Sequence, residues 1–265
     1  MDTPATLLDL TGRRALVTGA AAGIGRAIAL LFASAGADLL LVDRDEQGIE
    51  ALAAELRALG RSVDTLPADL GDASAIDAIW ARIDTEGSLP DTLVNNAGIY
   101  PFRDFLDIDA EFLRKVSAVN MESALWMCQH FIRRRQRAGG VIINVSSIEA
   151  LLPFTEHLAA YSMSKAGVIA LTRSLARDYG RRQFRVNGIL PGAIRTQGTE
   201  RLMRDAILRP RVKSFRTGID FQSRLPAGHW GRPEDVARVA LFLASDLSSY
   251  IYGAMIPVDG GFLSA

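Results

Sequence analysis

Short apolar runs rich in Val, Ile and Leu recur along the chain: Ala15-Leu16-Val17, Leu39 to Val42, Thr92-Leu93-Val94, Val141 to Val145, Val186 to Leu190 and Met255 to Val258. Successive apolar positions over so few residues are the pattern of a strand covered on both faces. Longer segments with helical spacing lie between them. In one, Ile49, Leu52, Ala53, Leu56 and Leu59 place an apolar stripe on a predicted helix that Gly60 ends. A parallel crossover needs about a dozen residues or more, so this alternation predicts an α/β fold. The expected architecture is a doubly wound parallel sheet of about seven strands with helices on both faces, forming one domain over residues 1–265. The rhythm breaks once, in an excursion at about 195–230. Its stretch from Arg195 to Arg224 carries Arg195, Arg201, Arg204, Arg209, Arg211, Lys213, Arg216 and Arg224 against Glu200, Asp205 and Asp220. An insertion after a strand's carboxyl end lies where open α/β sheets bind ligands and is expected to cover a substrate. The basic excess taken alone reads as a solvated surface excursion.

Composition narrows the classes. With 265 residues, 49% of them hydrophobic, the chain can bury one sizeable core. Thirty basic residues balance thirty acidic ones, so no bulk field favours nucleic acid or an anionic membrane. The single cysteine, Cys128, forms no internal disulfide, and His130, His157 and His229 have no zinc spacing, so no metal is expected. The opening Met1-Asp2-Thr3-Pro4 lacks a signal peptide's basic and apolar regions, and no apolar run reaches the ~20 residues of a membrane span. The expected setting is cytoplasmic. Arg133-Arg134-Arg135-Gln136-Arg137 reads as a solvated helix end favoured by the helix dipole, not as a nucleic-acid site.

The first strand runs into Thr18-Gly19-Ala20-Ala21-Ala22-Gly23-Ile24-Gly25 and then a helix expected from near Arg26. Glycine serves such a loop by allowing a tight turn, close backbone approach to a pyrophosphate and close helix packing, while the helix N-terminus offers free N–H groups. Asp43, eighteen residues beyond Gly25, closes the second strand, where a carboxylate can accept from adenosine ribose hydroxyls and repel a 2′-phosphate. NAD is the preferred cofactor. Arg44 could instead pair with a 2′-phosphate, and Asp43 could merely cap the next helix.

Several signals now occur in order: the Thr18 to Gly25 loop, Asp69-Leu70, Asn95-Asn96-Ala97-Gly98, Asn120, Ser146-Ser147, Tyr161-Ser162-Met163-Ser164-Lys165, Pro191-Gly192-Ala193-Ile194-Arg195-Thr196 and Val258-Asp259-Gly260-Gly261. Together they resemble the short-chain dehydrogenase/reductase family in its single-domain, NAD(P)-binding Rossmann form. The resemblance implies a cofactor site of Gly19, Gly23, Ile24, Gly25, Asp43, Asp69, Leu70, Asn96, Ala97, Gly98, Tyr161, Lys165, Pro191, Gly192, Ile194 and Thr196, with Ile194 and Thr196 holding the nicotinamide carboxamide. It also implies catalytic roles for Asn120, Ser147, Tyr161 and Lys165.

Tyr161 and Lys165 stand four apart, one helical turn on one face. A free phenol titrates near ~10, and a nearby ammonium with an oxidised nicotinamide is expected to bring it toward the working range. Tyr161 is then the proton donor and acceptor, with Lys165 lowering its pKa and holding the nicotinamide ribose. Ser147 is expected to hold the substrate oxygen as charge develops on it, with Ser146 a weaker rival. Ser147 and Tyr161 are fourteen positions apart, one more than the family commonly shows. Asn120 matches the residue that links Lys165 through water to solvent.

The loops expected to set specificity are Ile99 to Phe105, Glu149 to His157 and the excursion after Thr196. Candidate substrate contacts are Ser147, Glu149, Phe154, His157, Tyr161 and Arg195. The run Leu225 to Asp235 resembles members that oxidise sugars and keto-deoxy sugar acids, which tilts the expected secondary alcohol toward that class. The alternatives are an NADPH-dependent ketone or 3-oxoacyl reductase and, from another class, a catalytically silent nucleotide-binding regulatory module. By analogy the long helices and the apolar C-terminal end (Ile256, Val258, Phe262, Leu263) suggest a homotetramer or homodimer.

Overall fold

The computed structural model describes residues 3–199 and 224–265. Seven strands form one parallel sheet: β1 (Arg14–Thr18), β2 (Asp38–Asp43), β3 (Val63–Pro67), β4 (Thr92–Asn95), β5 (Gly140–Val145), β6 (Phe184–Pro191) and β7 (Met255–Val258). Their order is β3-β2-β1-β4-β5-β6-β7. The helices are α1 (Pro4–Leu8), α2 (Gly23–Ser34), α3 (Glu46–Ala58), α4 (Ala73–Glu86), α5 (Ala110–Ser117), α6 (Ser123–Arg135), α7 (Ala159–Tyr179) and, after the stretch not described, α8 (Pro233–Ala244).

The double winding follows from the strand sequences. Alternate residues of a strand point to opposite faces. Ala15 and Val17 of β1, Leu39 and Leu41 of β2, and Val141 and Ile143 of β5 join one core with α2, α3 and α8. Leu16, Leu40, Val42 and Ile142 join the other with Trp80 of α4 and Met127 and Phe131 of α6. The strands lack a polar face because both faces are covered. Strand order reverses between β1 and β4, opening a crevice at their carboxyl ends.

Three details differ from expectation. The strand Val63–Pro67 has no continuous apolar run; it pairs only with β2 and lies at the sheet edge. Helix α2 starts at Gly23, not near Arg26, so Gly25 lies in its first turn. Phe262 of the C-terminal end is buried against Phe154, with ring centroids 4.8 Å apart, and so covers the chain's own core. Among the described residues no helix is long and apolar enough to cross a membrane, and no group of three or more His, Cys, Asp or Glu side chains could hold a metal.

Candidate active site

The crevice is built around the turn after β1. Gly19 and Gly23 have φ of +65° and +58°, which an L side chain rarely adopts. A Cβ on Gly25 would run into the Gly19 carbonyl and meet Asn96 Nδ2 at 2.6 Å, so the helix sits directly on the turn. Asn96 ties that turn to β4, its Nδ2 donating to the Thr18 and Gly19 carbonyls at 3.0 and 3.1 Å. The Thr18 hydroxyl accepts from the Asn96 and Ala97 amides at 2.9 and 3.0 Å. Ala22 at the N-cap of α2 supplies no capping side chain. Donors in the first turn of α2 are thus left for an external acceptor such as a phosphate. Asp43 does not cap α3; Asp45 does, accepting from Gly48 N. The Asp43 carboxylate instead accepts from the amides of Ala21 at 3.0 Å and Asp45 at 3.0 Å. Two amides leave lone pairs for ribose hydroxyls. Arg44 is exposed beside it.

Asp69 also does not cap α4, a task taken by Asp72; its Oδ1 accepts from Gly71 N at 2.9 Å. The Leu70 side chain lies in the core under β2, so contact with an adenine would come through its backbone. On the far side, Gly192 N donates to Val258 O at 2.9 Å, and a Cβ there would meet Asp259 Cα at 2.8 Å. Ile194 pairs as a β-bridge with Gly231 and its side chain is buried. Thr196 and Thr199 bond reciprocally, Thr196 N to Thr199 Oγ1 at 2.8 Å and Thr199 N to Thr196 Oγ1 at 3.1 Å. A Cβ on Gly23 would meet Thr196 Cγ2 at 3.2 Å, so this strap crosses close to the glycine turn. The residues present fit a dinucleotide along the crevice.

At the carboxyl end of β5 the structure brings Ser147, Tyr161 and Lys165 together. The Ser147 hydroxyl lies close enough to the Tyr161 phenol to favour its ionised form. Lys165 Nζ lies 6.0 Å from the Tyr161 ring centroid and donates to Val145 O at 3.0 Å. The Ser146 hydroxyl is spent on Lys165 O at 2.7 Å, which removes it as a rival. Burial pushes the Tyr161 phenol up to about 12; the Ser147 hydroxyl opposes this and the Glu149 carboxylate adds to it. Lys165, 4% exposed, is pushed down to about 8 by burial. Among the chain's own groups, burial therefore raises the phenol, and Lys165 is not among the causes of its shift.

Asn120 lies in a π-helical turn, Ala118–Glu122, between α5 and α6. Its Oδ1 accepts from Ile99 N at 2.7 Å, and its Nδ2 donates to Ile99 O at 2.9 Å and Ser164 Oγ at 3.2 Å. The side chain thus anchors the loop after β4. That loop carries Tyr100, whose ring meets Tyr161 edge-on at 4.6 Å and Phe102 at 5.1 Å. Arg103 N donates to His157 O at 2.9 Å, joining this loop to the one after β5. His157 has φ +67°, a left-handed conformation rare for a residue with a side chain.

Of the candidate substrate contacts, Ser147 and Tyr161 meet, and half-exposed His157 lies at the rim. Glu149 is 2% exposed and bonded within its own loop. Phe154 packs on Phe262, and Arg195 is exposed beside the Thr196 strap. Most of the excursion at about 195–230 lies outside the described residues. Tyr100, Thr155 and Ser162 are neighbours of Tyr161 or Glu149 absent from the sequence-derived site. The aromatic pair in Ile99 to Phe105 was the available signal.

The profile of a family described as enoyl-(acyl carrier protein) reductase matches residues 19–263. Galactitol 2-dehydrogenase (L-tagatose-forming) of Cereibacter sphaeroides is 37% identical over 97% of this chain and 97% of its own. The 3-oxoacyl-[acyl-carrier-protein] reductase of Thermotoga maritima is 36% identical over 97% of this chain and 100% of its own. Among solved structures, a gluconate 5-dehydrogenase from Burkholderia cenocepacia in complex with NADP and tartrate has a TM-score of 0.89 at 30% identity, covering 99% of this chain and 100% of that one. With the sheet order, the glycine turn and the Ser147, Tyr161 and Lys165 cluster, these matches establish that the chain belongs to the short-chain dehydrogenase/reductase family, oxidoreductases that use NAD(P) and act on CH–OH groups.

Proposed function

We propose that this chain interconverts a secondary alcohol and a ketone on a sugar or sugar-acid substrate, using NAD(H). One observation carries the reading: the Ser147 and Tyr161 hydroxyls meet over the end of β5, one helical turn from a buried lysine. When bound, the dinucleotide supplies the hydride acceptor or donor and, when oxidised, a positive charge beside the phenol. Gly19, Gly23, Ile24 and Gly25 line the pyrophosphate path and Asp43 the ribose. Asp69 with Leu70 flanks the adenine, and Asn96 to Gly98 with Pro191, Gly192, Ile194 and Thr196 frame the nicotinamide. Tyr161 takes the alcohol proton in oxidation and returns it in reduction. Ser147 donates to the substrate oxygen where negative charge grows. Lys165 holds the nicotinamide ribose and, with its charge, favours the phenolate. Asn120 positions the Ile99 loop and gives Lys165 its route to solvent.

The Asp43 carboxylate repels a 2′-phosphate, which favours NAD over NADP. The polyol and sugar-acid leaning is supported by similarity to the galactitol and gluconate dehydrogenases and by the Leu225 to Asp235 run. Similarity to a 3-oxoacyl reductase, with aromatic Tyr100 and Phe102 in the loop after β4, supports the acyl-ketone reading as second. A silent regulatory module would have no use for the complete cluster. Exposed Leu125 and Trp126 on α6 and Tyr250 and Tyr252 before β7 support a homotetramer or homodimer. The lone buried Cys128 fits a cytoplasmic setting.

The test is a panel of galactitol, gluconate, a 3-oxoacyl thioester and a 7-oxo steroid, followed by nicotinamide absorbance, with NADH and NADPH titrated by fluorescence. Turnover of polyol or aldonate with tighter NADH binding is expected, and Tyr161→Phe loses about 10²–10⁴-fold in rate with cofactor affinity unchanged. Turnover confined to steroid or acyl substrates overturns the sugar reading, equal or tighter NADPH binding overturns NAD, and full activity of Tyr161→Phe overturns the mechanism.

A further inference from the structure

From Asn96 to Asp104 the chain after β4 forms neither helix nor strand, yet it is held at three points. Asn120 bonds both backbone groups of Ile99, N at 2.7 Å and O at 2.9 Å. The ring of Pro101 fixes its own φ and confines Tyr100, the residue before it, to extended backbone. Arg103 N donates to His157 O at 2.9 Å. Between these anchors stand two aromatic rings. That of Tyr100 is perpendicular to Tyr161, with centroids 4.6 Å apart and planes at 83°, and to Phe102, at 5.1 Å and 88°. Such T-shaped pairs are the arrangement that the ring quadrupole favours. Phe102 is half-exposed and Tyr100 partly buried, so a row of three rings runs from the surface to the proposed proton donor. On its other flank Tyr161 has Lys165 Nζ, 6.0 Å from its ring centroid and itself held by Val145 O.

We propose that Tyr100 is a positioning residue: its ring, mounted on a loop pinned by Asn120, Pro101 and His157 and backed by Phe102, holds the Tyr161 ring so that the phenol oxygen faces the substrate oxygen. The proposal rests on the assignment of Tyr161 as the proton donor and acceptor. Helix α7 fixes the backbone of Tyr161, but the phenol oxygen stands at the far end of a side chain with two torsions, one of them broad. What packs on the ring therefore decides where the oxygen points. Small misplacements of a reacting group are costly in rate, so a rigid neighbour is worth its ordering. The acting part of Tyr100 is the ring and not its hydroxyl, because the contact is between rings. The fault on its loss lies in orientation once substrate is bound, which is read in kcat and not in KM.

Tyr100→Phe keeps the ring and drops the hydroxyl; Tyr100→Leu drops the ring and keeps an apolar side chain. Both are assayed with galactitol and NAD⁺, with rates expressed per NADH-binding site so that misfolded chain does not count. Tyr100→Leu is expected to lose about two- to tenfold in kcat, the size of an aromatic pair, with KM and NADH affinity unchanged. Tyr100→Phe is expected to match wild type. An unchanged kcat in Tyr100→Leu overturns the proposal. So does a raised KM at unchanged kcat, which marks a substrate contact, and so does an equal loss in Tyr100→Phe, which marks the hydroxyl. A crystal structure of Tyr100→Leu with NAD⁺ is expected to show the Tyr161 ring turned or displaced, and an unmoved ring overturns the proposal whatever the substrate. If Tyr100→Leu fails to fold, Phe102→Leu at its half-exposed position tests the same row: kcat is expected to fall about twofold, and an unchanged kcat overturns it. Full activity in Tyr161→Phe would overturn the function itself, while the position of the Tyr161 ring in the crystal would still report on Tyr100, so the two failures are distinguishable.

Discussion

Lys165 is a cation that the fold prefers neutral, with burial holding its ammonium down to about 8 against an ordinary 10.5. Between those two values the unfolded chain binds more protons than the folded one, so the lysine's contribution to stability rises with pH across that window; below about 8 the full penalty of a buried charge is present. Lys165→Met removes the penalty and also the bond to Val145 O, a smaller loss of about 1 kcal/mol. The variant is expected to melt higher than wild type near pH 7, with the gain shrinking as pH climbs from 8 toward 10.5. Thermal midpoints across that range check it, and a constant difference would mean the group is not desolvated. The proposed function explains why a destabilising lysine stands there. The same residue shows what sequence could and could not reveal. The spacing of Tyr161 and Lys165 placed both on one helix face, but the direction in which each group's proton affinity moves depends on burial, which no short motif records.

The π-helical turn between α5 and α6 swings Asn120 inward, where one side chain satisfies both backbone groups of Ile99. An α-helical turn would leave the backbone in a tighter register, and such bulges recur at functional sites. Asn120→Ala strands the Ile99 N–H and C=O, which costs about 1–3 kcal/mol, and releases the loop that carries Tyr100. A lower urea midpoint is expected together with a fall in kcat/KM larger than any change in NADH affinity; equal losses in both would place Asn120 in general stability only. Strands at this scale were legible where both faces are covered, since β1, β2, β4, β5 and β6 announce themselves as apolar runs. Val63–Pro67 did not, because Asp64 and Pro67 interrupt it at the sheet edge. Asp43, Asp69 and Asp72 show a related limit: all are acidic residues near strand or helix ends, and only hydrogen bonds reveal that Asp72 caps, while Asp43 grips the glycine turn.

Across the whole molecule the sheet divides labour between its two ends. Ser147, Asn96 and the glycine turn crowd the carboxyl ends of the strands, where turns are strained and a lysine is desolvated. The amino ends hold a structural counterpart in Arg185 at the start of β6. That guanidinium is buried and donates to the carbonyls of Leu243 at 2.9 Å, Ala244 at 3.3 Å, Ser245 at 3.1 Å and Ser248 at 3.1 Å, and to Ser248 Oγ at 2.6 Å. These lie in the last turn of α8 and just beyond it, where free C=O groups and the helix dipole call for a cation. One side chain thus fastens the final helix to the sheet at the end away from the chemistry. Arg185→Leu removes these bonds and leaves the carbonyls to their remaining donors, Ser248 Oγ and Arg13 among them, and a loss of about 1–3 kcal/mol in unfolding free energy is expected. Because α8 also packs against α2 through Val236, Ala237 and Ala240, the loosening reaches the helix that starts at the glycine turn. NADH is therefore expected to bind the variant more weakly and to raise its thermal midpoint by less than it raises that of wild type. Denaturant unfolding with and without NADH measures both, and an Arg185→Leu chain as stable as wild type would show that the amino end of the sheet is held by packing alone.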